Sequence, residues 1–519
     1  MITMQNMAPI MFAGLVIFMV IGFPVAFSLA ALGLFAGYAS IQLGFFGPEF
    51  MSNLPLRIFG ILSNELLLAI PFFTFMGAIL ERCGLAEDLL EGTGQLFGSV
   101  PGGLAYAVIV VGAILGAITG TVAASVIAMG VISLPIMMKY GYDMKTATGV
   151  IAAAGTITQV IPPSLVLVIL ADQLGKSVGD MYAGAIGPSI IQTGLFILYI
   201  FVLSLVRPHW VPALPEEART LRGWALWRRV LWGMVPSIVL IFLVLGTIFT
   251  GMATPTEAGA LGAVGAMVLA AMHKRLSWTL VMQGMETTMR ITAMVLFILI
   301  GSTVFSLVFQ GVDGSIWIEH MLADLPGGRT GFLIFVNLFI FFIAFFLDFF
   351  EIAFIIVPLL APVAAKLGID LVWLGVLLCV NMQTSFMHPP FGFALFYLRG
   401  IAPKEVKSSD IYWGALPWVG LQILMVSLII IWPEIVTTFL DKEQVVDTSK
   451  IELIAPEPGG YGNKDMDQGK VFGTPAAEGD KGTTQSGTAS GTDAKPADKE
   501  EDPMAAIKRA LEEEARQKK

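Results

Sequence analysis

The residues best suited to chemistry lie in two short polar stretches that each run into a pair of prolines. The first is Gly155-Thr-Ile-Thr-Gln159, followed by Pro162-Pro163. Proline has no amide hydrogen and disfavours helix in the residue before it, so carbonyl oxygens near residues 155–159 lose their helical partners. Free carbonyls beside hydroxyl and amide groups supply hard oxygen ligands, which suit a small cation such as sodium. The candidate ligands are Gly155, Thr156, Thr158 and Gln159.

A second stretch of the same kind, Asn381-Met-Gln-Thr-Ser385, leads into His388-Pro389-Pro390. Its candidate oxygen ligands are Asn381, Gln383, Thr384 and Ser385. The first proline of each pair stands 19 residues after an aspartate, Asp143 in one case and Asp370 in the other. One such stretch is as readily a proline kink whose polar side chains bond back to the helix. Two stretches at matched positions favour the cation site.

A run of small residues precedes the first proline pair. It extends from Gly112 to Ser125 and contains Thr119-Gly120-Thr121. Small residues let helix backbones approach closely, and the Thr-Gly-Thr turn is compatible with the tip of a re-entrant helical hairpin. Helix N-termini at such a tip carry partial positive charge and unpaired amides, which favours an anionic substrate group at Thr119, Gly120 and Thr121. Alternatively, the run is only a helix-packing face.

The run before the second proline pair carries two acids, Asp348 and Glu351, within very apolar sequence. Acids inside a membrane span are unfavourable and indicate a function. We predict that Asp348 binds an ion or stabilises a hairpin tip, whereas Glu351 either lies near it or faces water. Arg399 either snorkels to the membrane interface or attracts a substrate carboxylate. His388 is either a pH-sensitive group or a packing histidine.

The composition indicates that these motifs are held in a membrane. The 519 residues are 56% hydrophobic and 13% charged, with a mean hydropathy of +0.80, which excludes an ordinary soluble protein. At roughly 20 apolar residues per span, residues 8–440 hold about 10–12 crossings. A polar stretch with a proline pair occurs in each half of the chain, and a candidate hairpin precedes it each time. We therefore predict an all-α polytopic membrane protein with the inverted-repeat fold of a secondary transporter. The inversion requires that each half cross the membrane an odd number of times.

The two membrane repeats are predicted to be residues 1–205 and 233–440. Each holds a re-entrant hairpin followed by a broken helix. In chain order these lie at about 105–138 and 147–172 in the first repeat and at about 331–365 and 372–399 in the second.

The remaining segments are polar. Residues 206–232, rich in arginine and tryptophan, are predicted to be an amphipathic helix at the cytoplasmic headgroup level. Residues 441–519 are rich in Gly, Pro, Ser, Thr and charged residues and poor in aromatics, so we expect disorder with a short terminal helix.

Several functional classes find no support. The sequence contains no HExxH motif, no nucleotide-binding glycine loop and no serine-nucleophile elbow. Its two cysteines, Cys83 and Cys379, provide neither a disulfide framework nor the spacing of a transition-metal site. We predict a transporter without an organic cofactor or a nucleic-acid partner, and not an enzyme. The alternative from another class is a membrane enzyme on lipid-linked substrates, with Asp348, Glu351 and His388 as acid–base groups.

The chain resembles the large membrane subunit of TRAP (tripartite ATP-independent periplasmic) transporters, the DctM-like family. The resemblance covers roughly residues 8–440, and the order and spacing of its motifs are specific. In chain order the motifs are Gly22-Phe-Pro-Val-Ala-Phe, Gly116-Ala-Ile-Thr-Gly-Thr, Gly155-Thr-Ile-Thr-Gln-Val-Ile-Pro-Pro-Ser, Thr254-Pro-Thr-Glu-Ala, Phe346-Leu-Asp and Asn381-Met-Gln-Thr-Ser-Phe-Met-His-Pro-Pro-Phe-Gly.

The resemblance implies an elevator-type, sodium-driven importer of organic acids in a bacterial inner membrane. A periplasmic binding protein is expected to deliver the substrate. A small four-helix membrane subunit, expected here as a separate chain, supports the scaffold. A stand-alone carboxylate symporter coupled to sodium or protons is the alternative.

The resemblance also implies where sodium binds. In the first half the implied residues are Thr119, Gly120, Thr121, Gly155 and Thr156; in the second they are Asp348, Asn381, Gln383 and Thr384. Four residues depart from the family pattern. Val122 stands in place of a serine, Thr158 of a glycine, Gln383 of an acid and His388 of a threonine. These departures point to a divergent substrate subgroup.

Overall fold

The computed structural model describes residues 3–220, 223–323 and 325–440, so the tail predicted at 441–519 lies outside the described residues. The described residues form helices and turns, without a β-strand among them. The α-helices are α1 (Met4–Ile21), α2 (Val25–Gln42), α3 (Leu54–Leu62), α4 (Ala69–Arg82), α5 (Leu85–Leu96), α6 (Gly103–Thr119), α7 (Val122–Lys139), α8 (Met144–Thr156), α9 (Leu165–Leu174), α10 (Val178–Val206), α11 (Trp224–Phe249), α12 (Pro255–Met272), α13 (Trp278–Gly311), α14 (Gly314–Ala323), α15 (Gly328–Ile343), α16 (Phe349–Glu351), α17 (Val357–Lys366), α18 (Leu371–Met382), α19 (Phe393–Ile401), α20 (Ser408–Ile431) and α21 (Glu434–Thr437). A π-helical turn, Ile352–Ile356, joins α16 to α17.

The chain is a multi-pass, all-helical membrane protein. Among the described residues, 8 helices are long and apolar enough to cross a bilayer, or up to 9 if the segment from Pro48 to Arg82, bent by 47°, counts as one span. Five further apolar helices are shorter, at 10–17 residues. The 10–12 crossings expected from the sequence are therefore reached only if some of these shorter helices also cross.

The same series of elements occurs in each half. We call α6 with α7 the first helical pair, and α15 with α16–α17 the second. Each pair is followed by a helix that stops and resumes, α8 to α9 and α18 to α19. The repeated aspartates explain the shared starting points, because Asp143 accepts a hydrogen bond from the Thr146 amide (3.0 Å) and Asp370 from the Trp373 amide (2.7 Å). Such N-caps satisfy amides that have no helical partner.

The interrupted helices lie at the centre of the protein. Every residue of 146–156 in α8 and of 372–382 in α18 is buried. We call residues 157–164 the first break and residues 383–392 the second break. Each break starts with a short 3₁₀ turn, at Ile157–Gln159 and Gln383–Phe386, and contains a cis Pro-Pro bond. The helical pairs pack on these helices, with α6 and α7 against α8, and α15 and α17 against α18.

The linker differs from the amphipathic helix predicted for residues 206–232. Its first part forms only short 3₁₀ turns, Pro208–Trp210 and Glu216–Ala218, and α11 starts at Trp224 and continues into a candidate span. Prolines at positions 208, 212 and 215 explain the difference, because each removes an amide donor that a continuous helix needs.

Candidate functional site

A cavity of about 240 Å³ lies where the two helical pairs meet the two breaks. Residues 120–123 of the first pair and 348–350 of the second pair line it. Gln159 of the first break and Phe386 of the second lie between them, and α13 contributes Ile291 and Met294. Both halves of the chain therefore build one site, and one wall of that site comes from a helix outside the paired elements.

Four helices begin at this cavity, since the first residues of α7, α9, α16 and α19 all line it. A helix N-terminus carries partial positive charge and amide groups without helical partners. Ser164 caps α9 by accepting from the Val166 amide (3.2 Å), and Asp348 caps α16 by accepting from the Glu351 amide (3.0 Å). Neither α7 nor α19 has a side-chain cap, so their first amides are available to an anion.

The tip of the first helical pair is a two-residue turn. Thr119 ends α6, and Gly120 follows with φ +62°, a left-handed conformation that glycine adopts without strain. Thr121 is extended and precedes α7. Of the three predicted substrate residues here, Gly120 and Thr121 line the cavity.

Glycines seat the first helical pair on the first interrupted helix. A Cβ atom on Gly116 would lie 2.8 Å from Thr158 Cα, and one on Gly155 would lie 2.2 Å from a methyl group of Val126. The small-residue run is therefore a packing face along α6 and also ends in a turn at the cavity. Gly155 has a packing role beside its predicted role as a carbonyl ligand.

A buried amide network, which we define as Gln192, Gln383, Thr156 and Gln422, joins α8, α10 and α20 to the second break. All four side chains are inaccessible to solvent. Thr156 Oγ1 accepts from Gln383 Nε2 (3.2 Å) and Gln422 Nε2 (3.3 Å) and donates to the Ala153 carbonyl (2.9 Å). Gln383 Oε1 in turn accepts from Gln192 Nε2 (2.7 Å). Side chains of both halves are thus hydrogen-bonded to one another at the centre of the protein, while Oε1 of Gln192 and Oε1 of Gln422 have no partner among the described residues.

Gln159 connects helix α18 to the cavity. Its Nε2 donates to the carbonyl of Cys379 in α18 (3.1 Å), whereas its Oε1 has no hydrogen-bond partner among the described residues. The side chain is 1% exposed and lines the cavity. Thr158 beside it is buried and donates to the Gly155 carbonyl (3.0 Å). Gln159 therefore lines the site and carries a side-chain oxygen without a hydrogen-bond partner among the described residues.

The predicted ligands of the second break are mostly engaged elsewhere. Asn381 Nδ2 donates to the carbonyl and to Oδ1 of Asn337 in α15 (2.8 and 3.0 Å). The hydroxyl of Thr384 donates to the Asn381 carbonyl (2.7 Å) and that of Ser385 to the Met382 carbonyl (2.6 Å). These bonds are what a proline kink with back-bonding side chains requires, although each hydroxyl oxygen keeps an acceptor site.

Asp348 and Glu351 form a reciprocal capping box at the tip of the second helical pair. Asp348 Oδ1 accepts from the Glu351 amide (3.0 Å), and Glu351 Oε2 accepts from the Asp348 amide (3.1 Å). The structure therefore agrees with the tip-stabilising role predicted for Asp348 and places Glu351 near it. Because Asp348 also lines the cavity, its carboxylate is the one charged side chain among the described lining residues.

His388 and Arg399 lie outside the cavity lining. The His388 ring is 1% exposed and stacks on Phe345 (centroids 4.2 Å apart), with Phe341 at its edge (4.3 Å). Neither ring nitrogen has a hydrogen-bond partner among the described residues, an environment that fits a packing histidine. Arg399 is exposed and donates to the Val406 carbonyl (2.6 Å). Its predicted contact with substrate stays a prediction.

The structure thus brings Gly120, Thr121, Gln159 and Asp348 together around the cavity, and the other predicted site residues whose side chains are described do not line it. Two features were missed. Gln192 and Gln422 complete the buried network, and single glutamines in the apolar helices α10 and α20 were the available signal. The second feature is an aromatic wall, which we define as Phe349, Phe350, Phe386, Phe393 and Tyr397.

Comparison with known proteins identifies related chains. The model of the family described as "Tripartite ATP-independent periplasmic transporter, DctM component" matches residues 12–435. The C4-dicarboxylate TRAP transporter large permease protein DctM of Pseudomonas aeruginosa is 30% identical over 403 residues, which cover 77% of this chain and 91% of that protein. The isethionate TRAP transporter permease protein DctMQ of Oleidesulfovibrio alaskensis is 28% identical over 400 residues, covering 77% and 61% respectively. The crystal structure of the Alcanivorax borkumensis YdaH transporter is similar in fold, with a TM-score of 0.53 at 16% identity, covering 74% of this chain and 88% of that one.

Proposed function

Because the chain belongs to the family of DctM components of tripartite ATP-independent periplasmic transporters, we propose that it imports an organic acid together with sodium. In this proposal it is the large membrane subunit in a bacterial inner membrane. A periplasmic binding protein delivers the acid, and a separate small membrane subunit completes the complex. A permease subunit of this family is not an enzyme, which excludes the membrane-enzyme alternative.

The observation that carries the proposal is the shared cavity at which four helices begin. Helix N-termini favour anionic groups, and a transporter site built between two halves of a chain characteristically uses such termini. The uncapped N-termini of α7 and α19 supply amides for an acid group. The relatives support an organic anion as cargo, since their names refer to C4-dicarboxylates and isethionate.

Sodium coupling is supported by the oxygen atoms around the same cavity. The carboxylate of Asp348 and the unpartnered Oε1 of Gln159 both belong to lining residues. A sodium ion near them would offset the charge of Asp348 and would hold the second tip toward the first break. Coupled transport requires that sodium and substrate each favour the same closed state, and a cation between the second tip and the first break meets that requirement.

An elevator-type movement is supported by the origin of the cavity walls. Apart from Ile291 and Met294 of α13, the described lining residues belong to the helical pairs and the interrupted helices. In the proposal these elements move together as the transport unit, while α13 belongs to the static scaffold. The bound acid would then travel with the transport unit, lose its contact with α13 and contact another part of the scaffold.

The first test is thermal unfolding of the purified, detergent-solubilised chain at increasing sodium, with choline keeping the ionic strength constant. A ligand at about 100 times its dissociation constant adds about 2.7 kcal/mol if it binds only the folded state. We expect sodium-specific stabilisation that Asp348→Asn abolishes, because the amide keeps an oxygen for the cap but lacks the charge.

Asp370→Asn is the matched control for this test. Asp370 is also a helix N-cap, but it is exposed and lies outside the cavity lining, so this variant should keep the full sodium effect. Equal stabilisation by sodium and choline in the unmodified chain would contradict sodium coupling. The stand-alone symporter alternative is tested separately, since it predicts uptake that needs no periplasmic protein.

A further inference from the structure

We infer that the substrate is an organic acid with a single charged oxyanion group and an apolar or aromatic body, and not a dicarboxylate. The inference rests on the proposed function, because it assigns a substrate class to the same cavity. It follows from three observations: the charges of the lining residues, the chemistry of one wall and the position of the available amides.

The described cavity lining has no basic side chain. Its one charged group is the carboxylate of Asp348, which a sodium ion offsets in the proposed mechanism. An anionic group moved from water into such a site needs a paired charge or several hydrogen bonds. A second carboxylate on the substrate would find neither a lysine nor an arginine among the described lining residues. A single oxyanion group needs only one set of donors.

The hydrogen-bond donors for this oxyanion group lie on the side of the cavity that the first half of the chain builds. The α7 N-terminus has no side-chain cap, and Gly120 and Thr121 line the cavity just before it. The buried Gln159 also lines this side of the cavity, and its unpartnered Oε1 is an acceptor that suits the sodium ion beside the substrate and not the oxyanion group itself. By contrast, Asp348 and Ser164 already cap α16 and α9. The fourth N-terminus, that of α19, also lacks a side-chain cap, but it starts within the aromatic wall at Phe393, and its third amide, that of Leu395, already donates to the Gly392 carbonyl (3.0 Å). The oxyanion group is therefore assigned to the α7 N-terminus.

The aromatic wall faces the remainder of the substrate. Its phenylalanine rings form a contiguous surface, with centroids 3.9 Å apart for Phe349 and Phe350, 6.1 Å for Phe349 and Phe386, and 6.3 Å for Phe386 and Phe393. The wall from α13 is also apolar, through Ile291 and Met294. Aromatic rings gain from stacking or edge contacts with another ring in addition to apolar burial. A polar or doubly charged body would lose its hydration here without new partners.

The test is isothermal titration calorimetry on the purified full chain in detergent at saturating sodium, with phenylacetate, acetate and succinate as probes. We expect phenylacetate to bind at least about tenfold more tightly than succinate or acetate, the ratio that one aromatic contact can supply. Tighter binding of succinate would overturn the inference and leave the proposed function intact. Failure of phenylacetate to bind would also overturn the inference, while sodium-specific stabilisation of the same samples reports separately on the proposed function.

Two variants of α19 form a matched pair. Phe393 lines the cavity, whereas Phe396, in the next turn, is 52% exposed and does not. Phe393→Ala should weaken phenylacetate binding about tenfold, and Phe396→Ala should leave it unchanged. Equal effects of the two would overturn the assignment of the wall. Met294→Ala, which removes an apolar contact from α13 without touching the hairpin tips, provides a second reading if Phe393→Ala fails to fold.

Discussion

Replacing Thr156 with valine should destabilise the folded chain by about 2–6 kcal/mol, because two buried amide donors, Gln383 Nε2 and Gln422 Nε2, lose their acceptor. Each buried donor left unpaired costs about 1–3 kcal/mol. Valine has nearly the shape of threonine, so no cavity contributes to the loss. The measurement is the free energy of unfolding from an SDS titration in mixed micelles.

Thr158→Val is the burial-matched control for this prediction. Thr158 is equally inaccessible, but its hydroxyl makes a single hydrogen bond among the described residues, to the carbonyl of Gly155 three positions earlier. Loss of that bond should cost only about 0.5–1.5 kcal/mol. If the two variants are destabilised by the same amount, the buried amide network does not stabilise the contact of α8 with the second break.

The second large effect is expected at Gly414 of α20. A Cβ atom there would lie 2.2 Å from the Lys145 carbonyl oxygen and 3.0 Å from its carbon, both backbone atoms of α8. Gly149 of α8 is in the reciprocal position, because a Cβ atom built on it would lie 2.2 Å from the Gly414 carbonyl oxygen. Backbone atoms cannot move aside as a flexible side chain does, so Gly414→Ala must separate the two helices. We expect a loss of about 1–3 kcal/mol or more.

The sign of this effect distinguishes it from an ordinary helix substitution. Glycine to alanine in a helix usually stabilises by about 0.5–1 kcal/mol, because glycine has more conformational entropy to lose. Gly420→Ala in the same helix is the control, since nothing lies within 4 Å of a Cβ there. In the same SDS titration, a Gly414→Ala variant as stable as Gly420→Ala would disprove the close contact of α8 with α20.

Much of the fold could be predicted because its decisive residues act locally. The Pro-Pro pairs interrupt their helices, and Asp143 and Asp370 cap theirs, through effects that extend over a few positions. These signals occur in both halves and follow the pattern of a known family, so the sequence predicted a multi-pass, all-helical protein of the DctM family. The comparisons confirm the family. The prediction of an amphipathic helix over residues 206–232 was wrong in its first part, because the prolines at positions 208, 212 and 215 remove amide donors that a continuous helix needs.

The site was only partly predictable, because some of its residues act locally and others depend on contacts with distant parts of the chain. Gly120, Thr121 and Asp348 are turn and cap residues whose local sequence indicates a tip, and the structure brings both tips to one cavity. The aromatic wall could not be distinguished from lipid-facing phenylalanines, because nothing in the spacing of Phe349 or Phe393 tells one from the other. The partners of Gln383 also come from distant helices, and no local pattern points to Gln192. The ligand roles themselves stay predictions.

Gln383 illustrates how a departure from the family pattern is accommodated. An amide can donate and accept at once, and Gln383 does both, donating to Thr156 and accepting from Gln192. A carboxylate at this position would only accept, so it could not donate to a threonine hydroxyl that already receives a bond from Gln422. The neutral residue therefore suits the neighbours that this chain provides.

The buried amide network also bears on cooperativity. Thr156 and Gln383 belong to opposite halves, so an ion that fixes one side chain restricts the other. If each break holds a sodium ion, occupation of the first should raise the affinity of the second, and by linkage the reverse must hold to the same extent. Sodium titrations would then be sigmoidal, and Thr156→Val would lower the Hill coefficient toward one. The hydrogen bonds that stabilise the centre of the protein would thus also prevent partly loaded states from accumulating.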